Sequence, residues 1–169
     1  MANTKTVAVI QFPGSNCENE SIFALQRAGI ACEPFLWNGP VERLRDFAGY
    51  FIVGGFSYED RSRAGVIASL DPVMGVIAEE SRKGKPVLGI CNGAQILVET
   101  GLVPGYESRP PTHRGSRVAI MLAPNRMERD GEIIGVGYYN DHCHLKTGLP
   151  MGSNAFNRKL GPDDVIRVP

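Results

Sequence analysis

The sequence has no surplus of either charge. Eighteen lysines and arginines stand against eighteen aspartates and glutamates, for a formal net charge of zero. Without a long-range field nothing draws the molecule to nucleic acid or to an anionic membrane surface, and neither is expected as a partner. Long apolar runs are also lacking. The longest, such as Val118 to Ala123, are far too short to span a bilayer. Met1 to Lys5 leads straight into strand-like residues with no signal-peptide core, so a cytoplasmic protein is expected. There is no CxxC pair: Cys17, Cys32, Cys91 and Cys143 are scattered and read as reduced thiols, any one of which could be chemical. Neither a repeat nor a low-complexity tract is evident. What remains is a chain of 169 residues, 43% hydrophobic and 21% charged, long enough to fold by burying a core of its own. Disorder and coiled coil are thereby disfavoured.

The apolar segments are short and punctuated. Thr6 to Ile10 is a β-branched run that ends at Gln11-Phe12-Pro13-Gly14, as a buried strand entering a loop does. Ser15 and Glu18 have the spacing of a capping box, and Ile22, Leu25 and Ala28 then share a helical face until Gly29. Ala31 to Leu36 and Phe47 to Val53 read as further strands, with Phe35 and Trp37 assigned to packing. Asp71-Pro72 is an N-cap followed by proline at the first helical position, opening a helix that Gly84 and Pro86 stop. Pro86 to Ile90 is another buried strand, and a helix runs on from it to Thr100. Strands alternating with helices in this order predict an α/β fold with a doubly wound, mainly parallel sheet, whose ligands bind at the carboxyl ends of its strands. Beyond it the texture becomes β-rich. Arg117 to Leu122 and Ile133 to Tyr139 are strand-like around an Asp130-Gly131 turn, Val165 to Val168 is a further strand, and Tyr106 to Gly115 and Leu149 to Asp164 read as irregular.

Chemistry concentrates at Gly89-Ile-Cys-Asn-Gly93, which has the G-x-nucleophile-x-G form of a nucleophile elbow at a strand-to-helix junction. A side chain on such a sharp turn stands clear of the sheet, the flanking glycines permit close packing, and helix N-termini favour thiolates. Gly54-Gly55-Phe56-Ser57 ends a different strand. Its backbone N–H groups, with that of Asn92, could form the two halves of an oxyanion hole.

These residues resemble a family. Gly54 to Tyr58, Arg63-Ala-Gly65 and Gly84 to Leu97 closely resemble the glutaminase subunits of phosphoribosylformylglycinamidine synthases, as does the opening loop Phe12 to Cys17. These are class I, triad-type glutamine amidotransferases of flavodoxin-like fold. The resemblance is specific from about Val7 to Gly105. It implies that Cys91 is the nucleophile that forms a γ-glutamyl thioester, that Gly55 and Asn92 stabilise the oxyanion through backbone N–H groups, and that Gly55, Ser57 and Gln95 contact bound glutamine. It further implies ammonia supply to an ATP- and Mg-dependent large synthetase subunit, together with a small accessory subunit, in purine biosynthesis. No cofactor is implied in this subunit. Glu59 and Arg61 to Arg63 depart from the family pattern, so a different loop shape is expected after Ser57.

The family completes its triad with a downstream His-x-Glu motif. Here His113, His142 and His144 are each without a glutamate two residues on. The reading is therefore a single glutamine amidotransferase domain over 1–169, truncated at its C-terminal end, without its catalytic His and Glu and inactive alone. A synthetase-docking fragment that hydrolyses nothing is the alternative, and a thiol hydrolase or oxidation sensor a third. Asp141-His-Cys-His144 puts two histidines on one strand face and the cysteine on the other, so no metal site is expected from it. Arg109, His113, Arg114 and Arg117 read as a solvated or subunit-facing cluster.

Overall fold

β1 (Val7–Gln11), β2 (Cys32–Leu36), β3 (Gly49–Ile52) and β4 (Val87–Gly89) form one sheet in the order β2-β1-β3-β4. Every pairing in it is parallel, with Val7 opposite Cys32 and Gly49, and Tyr50 opposite Val87. The computed structural model describes residues 5–104, 118–138, 141–148, 150–161 and 163–168. The helices are α1 (Glu18–Arg27), the single turn α2 (Val66–Ser69), α3 (Pro72–Arg82) and α4 (Asn92–Glu99).

Alternation along the strands sorts the core into two faces. Ala8, Ile10, Tyr50 and Ile52 belong to a cluster with Val73, Met74 and Ile77 of α3 and Ile96 and Leu97 of α4. Val9, Phe51 and Val53 form a second cluster with Leu25 and Ile22 of α1. Helices therefore cover both faces, which is the doubly wound arrangement expected, and the sheet resembles a flavodoxin-like core. Phe35 is buried and meets Phe47 edge-on, whereas Trp37 is half-exposed with its ring 6.5 Å from that of Tyr58.

Two readings need correction. Ser15 does not cap α1: its Oγ accepts from the Phe12 N–H at 3.0 Å, and the N-cap position belongs to Cys17, with no side-chain cap bond. A local turn has taken the hydroxyl that a capping box would have used. The Asp130-Gly131 hairpin exists, but its first strand is β5 (Arg126–Arg129), paired with β6 (Glu132–Val136), while 118–125 is not a strand. The apolar run had outweighed the nearer turn signal. Asp71 does cap α3, its Oδ1 accepting from the Val73 N–H at 2.9 Å.

The chain divides into two compact units, Met1–Leu122 and Ala123–Pro169. The second consists of the β5-β6 hairpin and an antiparallel pair, β7 (Cys143–Lys146) with β8 (Val165–Val168). His144 lies on β7 and His142 just before it, both exposed. The cluster Arg109, His113, Arg114 and Arg117 lies outside the described residues.

Candidate functional site

β4 stops at Gly89, and one sharp turn later α4 begins. Cys91 sits in that turn at φ 55 and ψ −117, a left-handed region that side-chain-bearing residues occupy only under constraint. The constraint is visible on both sides. A Cβ on Gly89 would come within 2.6 Å of the Gly93 carbonyl, and one on Gly93 would overlap the carbonyl oxygen of Ile52 in β3. The two glycines are thus demanded by backbone approach, and the approach holds the turn in shape. The result is an exposed thiol at the carboxyl end of the parallel sheet.

The Gly54 loop is laid against it. The Asn16 N–H donates to Gly54 O at 3.3 Å and the Phe56 N–H to Gly14 O at 2.9 Å, which makes Ser15 and Gly55 an isolated antiparallel pair. Because the flanking residues make both bonds, the Gly55 N–H takes no part in the pairing. Gly55 has φ 138, and a Cβ there would press on Gly14 and Asn16. Asn92 opens α4, where first-turn N–H groups have no acceptor within the helix. A Cβ on Gly54 would lie 3.4 Å from both the Cys91 Cβ and the Cys17 Sγ, so Gly54 is the floor between two cysteines.

Below the open face, Asn92 joins loop and helix. Its Oδ1 accepts from the Ser57 N–H at 2.9 Å, and its Nδ2 donates to Asp60 Oδ1 at 3.0 Å and to Gln95 Oε1 at 2.9 Å. Ser57 is 3% exposed, and its Oγ has no partner among the described residues. The loop itself runs through left-handed backbone at Tyr58, Glu59 and Asp60. Arg63 then grips Glu99 of α4 with two bonds, Nε to Oε1 at 2.9 Å and a terminal nitrogen to Oε2 at 2.6 Å. The carboxylate holds the Arg63 pKa above its ordinary value. Tyr58 donates to Asp71 Oδ2 at 3.2 Å, and burial, with Asp71 beside it, raises its phenol.

A cleft of about 330 Å³ opens beside this loop, lined by Pro13, Gly14, Tyr58, Glu59, Arg61 and Ile67. Among the described residues no group of three or more His, Cys, Asp or Glu is placed to hold a metal ion. Sequence reasoning singled out Cys91, Gly55, Asn92, Ser57 and Gln95, and the fold gathers them at one sheet edge. It missed Asp60, the Arg63–Glu99 clamp and the closeness of Cys17, none of which has a signature in local spacing. An exposed thiol at a helix N-terminus, beside a glycine loop whose Gly55 N–H is not used in the pairing, is the equipment of acyl transfer.

Comparison with known proteins points the same way. The profile of the CobB/CobQ-like glutamine amidotransferase domain matches residues 4–129. A protein of Methanothrix thermoacetophila named phosphoribosylformylglycinamidine synthase subunit PurQ is 53% identical over 133 residues, 79% of this chain and 47% of that protein. One of the same name from Methanopyrus kandleri is 50% identical over 163 residues, 96% of this chain and 60% of that protein. The chain thus spans about half the length of the curated relatives it matches. Among solved structures, that of PurLQS from Thermotoga maritima aligns with a TM-score of 0.54 and 33% identity, over 59% of this chain and 45% of that one. With three quarters of its length under one family profile and the elbow, glycine loop and parallel sheet in place, the chain belongs to the CobB/CobQ-like glutamine amidotransferase family.

Proposed function

We propose that the protein is the glutaminase component of a phosphoribosylformylglycinamidine synthase. The Cys91 thiolate attacks the side-chain carbonyl of glutamine, and the oxyanion that forms is taken up by the backbone N–H groups of Gly55 and Asn92. The carbon–nitrogen bond then breaks, a general acid protonates the leaving nitrogen, and ammonia departs to leave a γ-glutamyl thioester. Water cleaves the thioester to glutamate and restores the thiol. Gln95 and the Gly55–Ser57 loop hold the substrate. The ammonia passes to a large synthetase subunit, which uses ATP and Mg²⁺ to convert formylglycinamide ribonucleotide into formylglycinamidine ribonucleotide, with a small accessory subunit completing the assembly in the cytoplasm. This subunit needs no cofactor of its own.

The observation that carries this reading is the strained Cys91 turn between Gly89 and Gly93. The names of the relatives and of the aligned structure support the choice of synthetase. None of the histidines in the sequence is followed by glutamate two residues on, so the 169-residue chain alone is expected to turn over little glutamine, since proton transfer contributes about 10²–10⁴ in rate. The test is a γ-diazoketone analogue of glutamine, with the adduct mapped by mass spectrometry. Labelling at Cys91 that glutamine prevents is the expected result; preferential labelling of Cys17, Cys32 or Cys143 would overturn the assignment.

A further inference from the structure

A carboxamide has two ends of similar shape and opposite hydrogen-bond polarity, and the surroundings of Asn92 settle which is which. The backbone N–H of Ser57 can only donate, so the end it meets at 2.9 Å is Oδ1. The other end is Nδ2, and it meets a carboxylate oxygen of Asp60 at 3.0 Å, which agrees. One hydrogen of Nδ2 goes to Asp60. The second goes to Gln95 at 2.9 Å, so the atom Gln95 turns toward Asn92 must be its oxygen. The Gln95 amide nitrogen consequently faces away, and no acceptor takes it among the described residues. Asn92 is 1% exposed, which leaves no room for water to relax these choices.

We infer that the buried Asn92 carboxamide, polarised by the Ser57 N–H and Asp60, obliges Gln95 to present an N–H donor, and so selects a ligand that places a carbonyl or carboxylate oxygen at that point. Asn92 and Asp60 are then positioning residues that act through Gln95. This rests on the glutaminase reading, under which the ligand is glutamine. A merely structural hub would need its atoms paired; this relay needs them paired with one polarity, and the two are separable.

The full 169-residue chain is titrated with the γ-diazoketone analogue of glutamine, giving a half-saturating concentration for labelling of Cys91. Iodoacetamide alkylation of Cys91 reports the thiol without the pocket. In Asn92→Asp one oxygen keeps the Ser57 N–H, but the other confronts Asp60 and turns the Gln95 nitrogen inward. The half-saturating concentration should rise about tenfold or more, a larger loss than any fall in the rate at which iodoacetamide alkylates Cys91. Adding Asp60→Asn supplies a donor to the introduced carboxylate and should return the unfolding midpoint toward that of the parent, while Gln95 stays reversed and analogue affinity stays low. Gln95→Met removes the donor without adding charge and should match that loss. Should Asn92→Asp alone not fold, the double variant and Gln95→Met carry the test. Recovery of analogue affinity in the double variant, or parental affinity in Gln95→Met, overturns the relay. Failure of the parent chain itself to label saturably, with iodoacetamide still reacting, overturns the glutaminase reading and the relay with it.

Discussion

Cys17 and Cys91 are alike in almost every local respect. Each occupies the N-cap position of a helix, each is exposed and unpaired in a disulfide, and both lie against Gly54. They part company in the backbone. Cys17 sits at φ −112 and ψ 24, with its Sγ 3.6 Å from Asn16 Oδ1, in a loop that the Ser15 hydroxyl and the backbone bonds to Gly54 and Phe56 hold without forcing Cys17 into left-handed backbone. Cys91 sits at φ 55 and ψ −117, a conformation that costs about 1–3 kcal/mol and persists because the surrounding packing over-determines it. Placement at a helix N-terminus therefore does not single out a nucleophile. The forced turn does, because only Cys91 is held in left-handed backbone between two glycines that close backbone approach demands.

The comparison breaks most directly by exchanging each thiol for a hydroxyl. Cys91→Ser should abolish labelling by the glutamine analogue while leaving the fold intact, and Cys17→Ser should leave Cys91 labelling within about twofold, both read by mass spectrometry of the adduct. Equal losses in the two variants would mean that the cysteines act together.

The second test attacks the frame of the turn. Gly93→Ala sets a methyl group into the Ile52 carbonyl oxygen and should destabilise the chain by about 2–4 kcal/mol in urea unfolding, with loss of Cys91 labelling. A smaller change would show that the elbow has more room than its backbone spacing implies.

A third test is pH. Glu80, buried at the end of α3, accepts from Lys83 at 2.5 Å and Arg45 at 3.1 Å and pairs with Lys85, just before β4, at 2.7 Å. The two lysines pull its pKa from an ordinary 4.5 to about 2. The sign follows: the carboxylate is favoured in the folded chain, so its contribution is whole above pH 4.5 and drains away as pH falls toward 2. The urea midpoint should fall over that interval, and Glu80→Gln should flatten the Glu80 part of the fall. Lys85 ties the approach to β4, the strand that leads to Cys91, to this carboxylate.

The smallest effect is expected on the relaxed side. Ser15→Ala deletes the acceptor for the Phe12 N–H and should cost about 0.5–1.5 kcal/mol, with Cys91 labelling retained. If labelling falls as well, the Cys17 loop supports the site more than its geometry suggests.

Much of the framework could be read directly. Val7 to Ile10, Tyr50 to Val53 and the glycines after Ile52 and Leu88 announced buried strands ending at one edge, because burial on both faces leaves a continuous apolar run. The Asp71-Pro72 cap was legible for the same reason, since a cap is a bond between near neighbours. Ser15 was misread because two local bonds competed for one hydroxyl, and residue type cannot say which wins. The β5 strand was missed where Val118 to Leu122 looked more apolar than Arg126–Arg129, although the turn at Asp130 was the better guide.

By itself, then, the sequence pointed to Ser57 and Gln95 only through its resemblance to a family, and through local pattern determined the order of strands and helices, the glycine-framed turn at Cys91 and the candidates Gly55 and Asn92. These are properties of adjacent residues, set by period, backbone freedom and cap chemistry. Only the tertiary structure decided that Asn92 is gripped from Ser57 and Asp60, that Arg63 closes on Glu99 and that Cys17 and Cys91 share Gly54. The physical reason is range. A hydrogen bond between residues more than thirty positions apart is specified by how two loops come to rest on one sheet edge, and nothing in the spacing of either loop records where the other will lie.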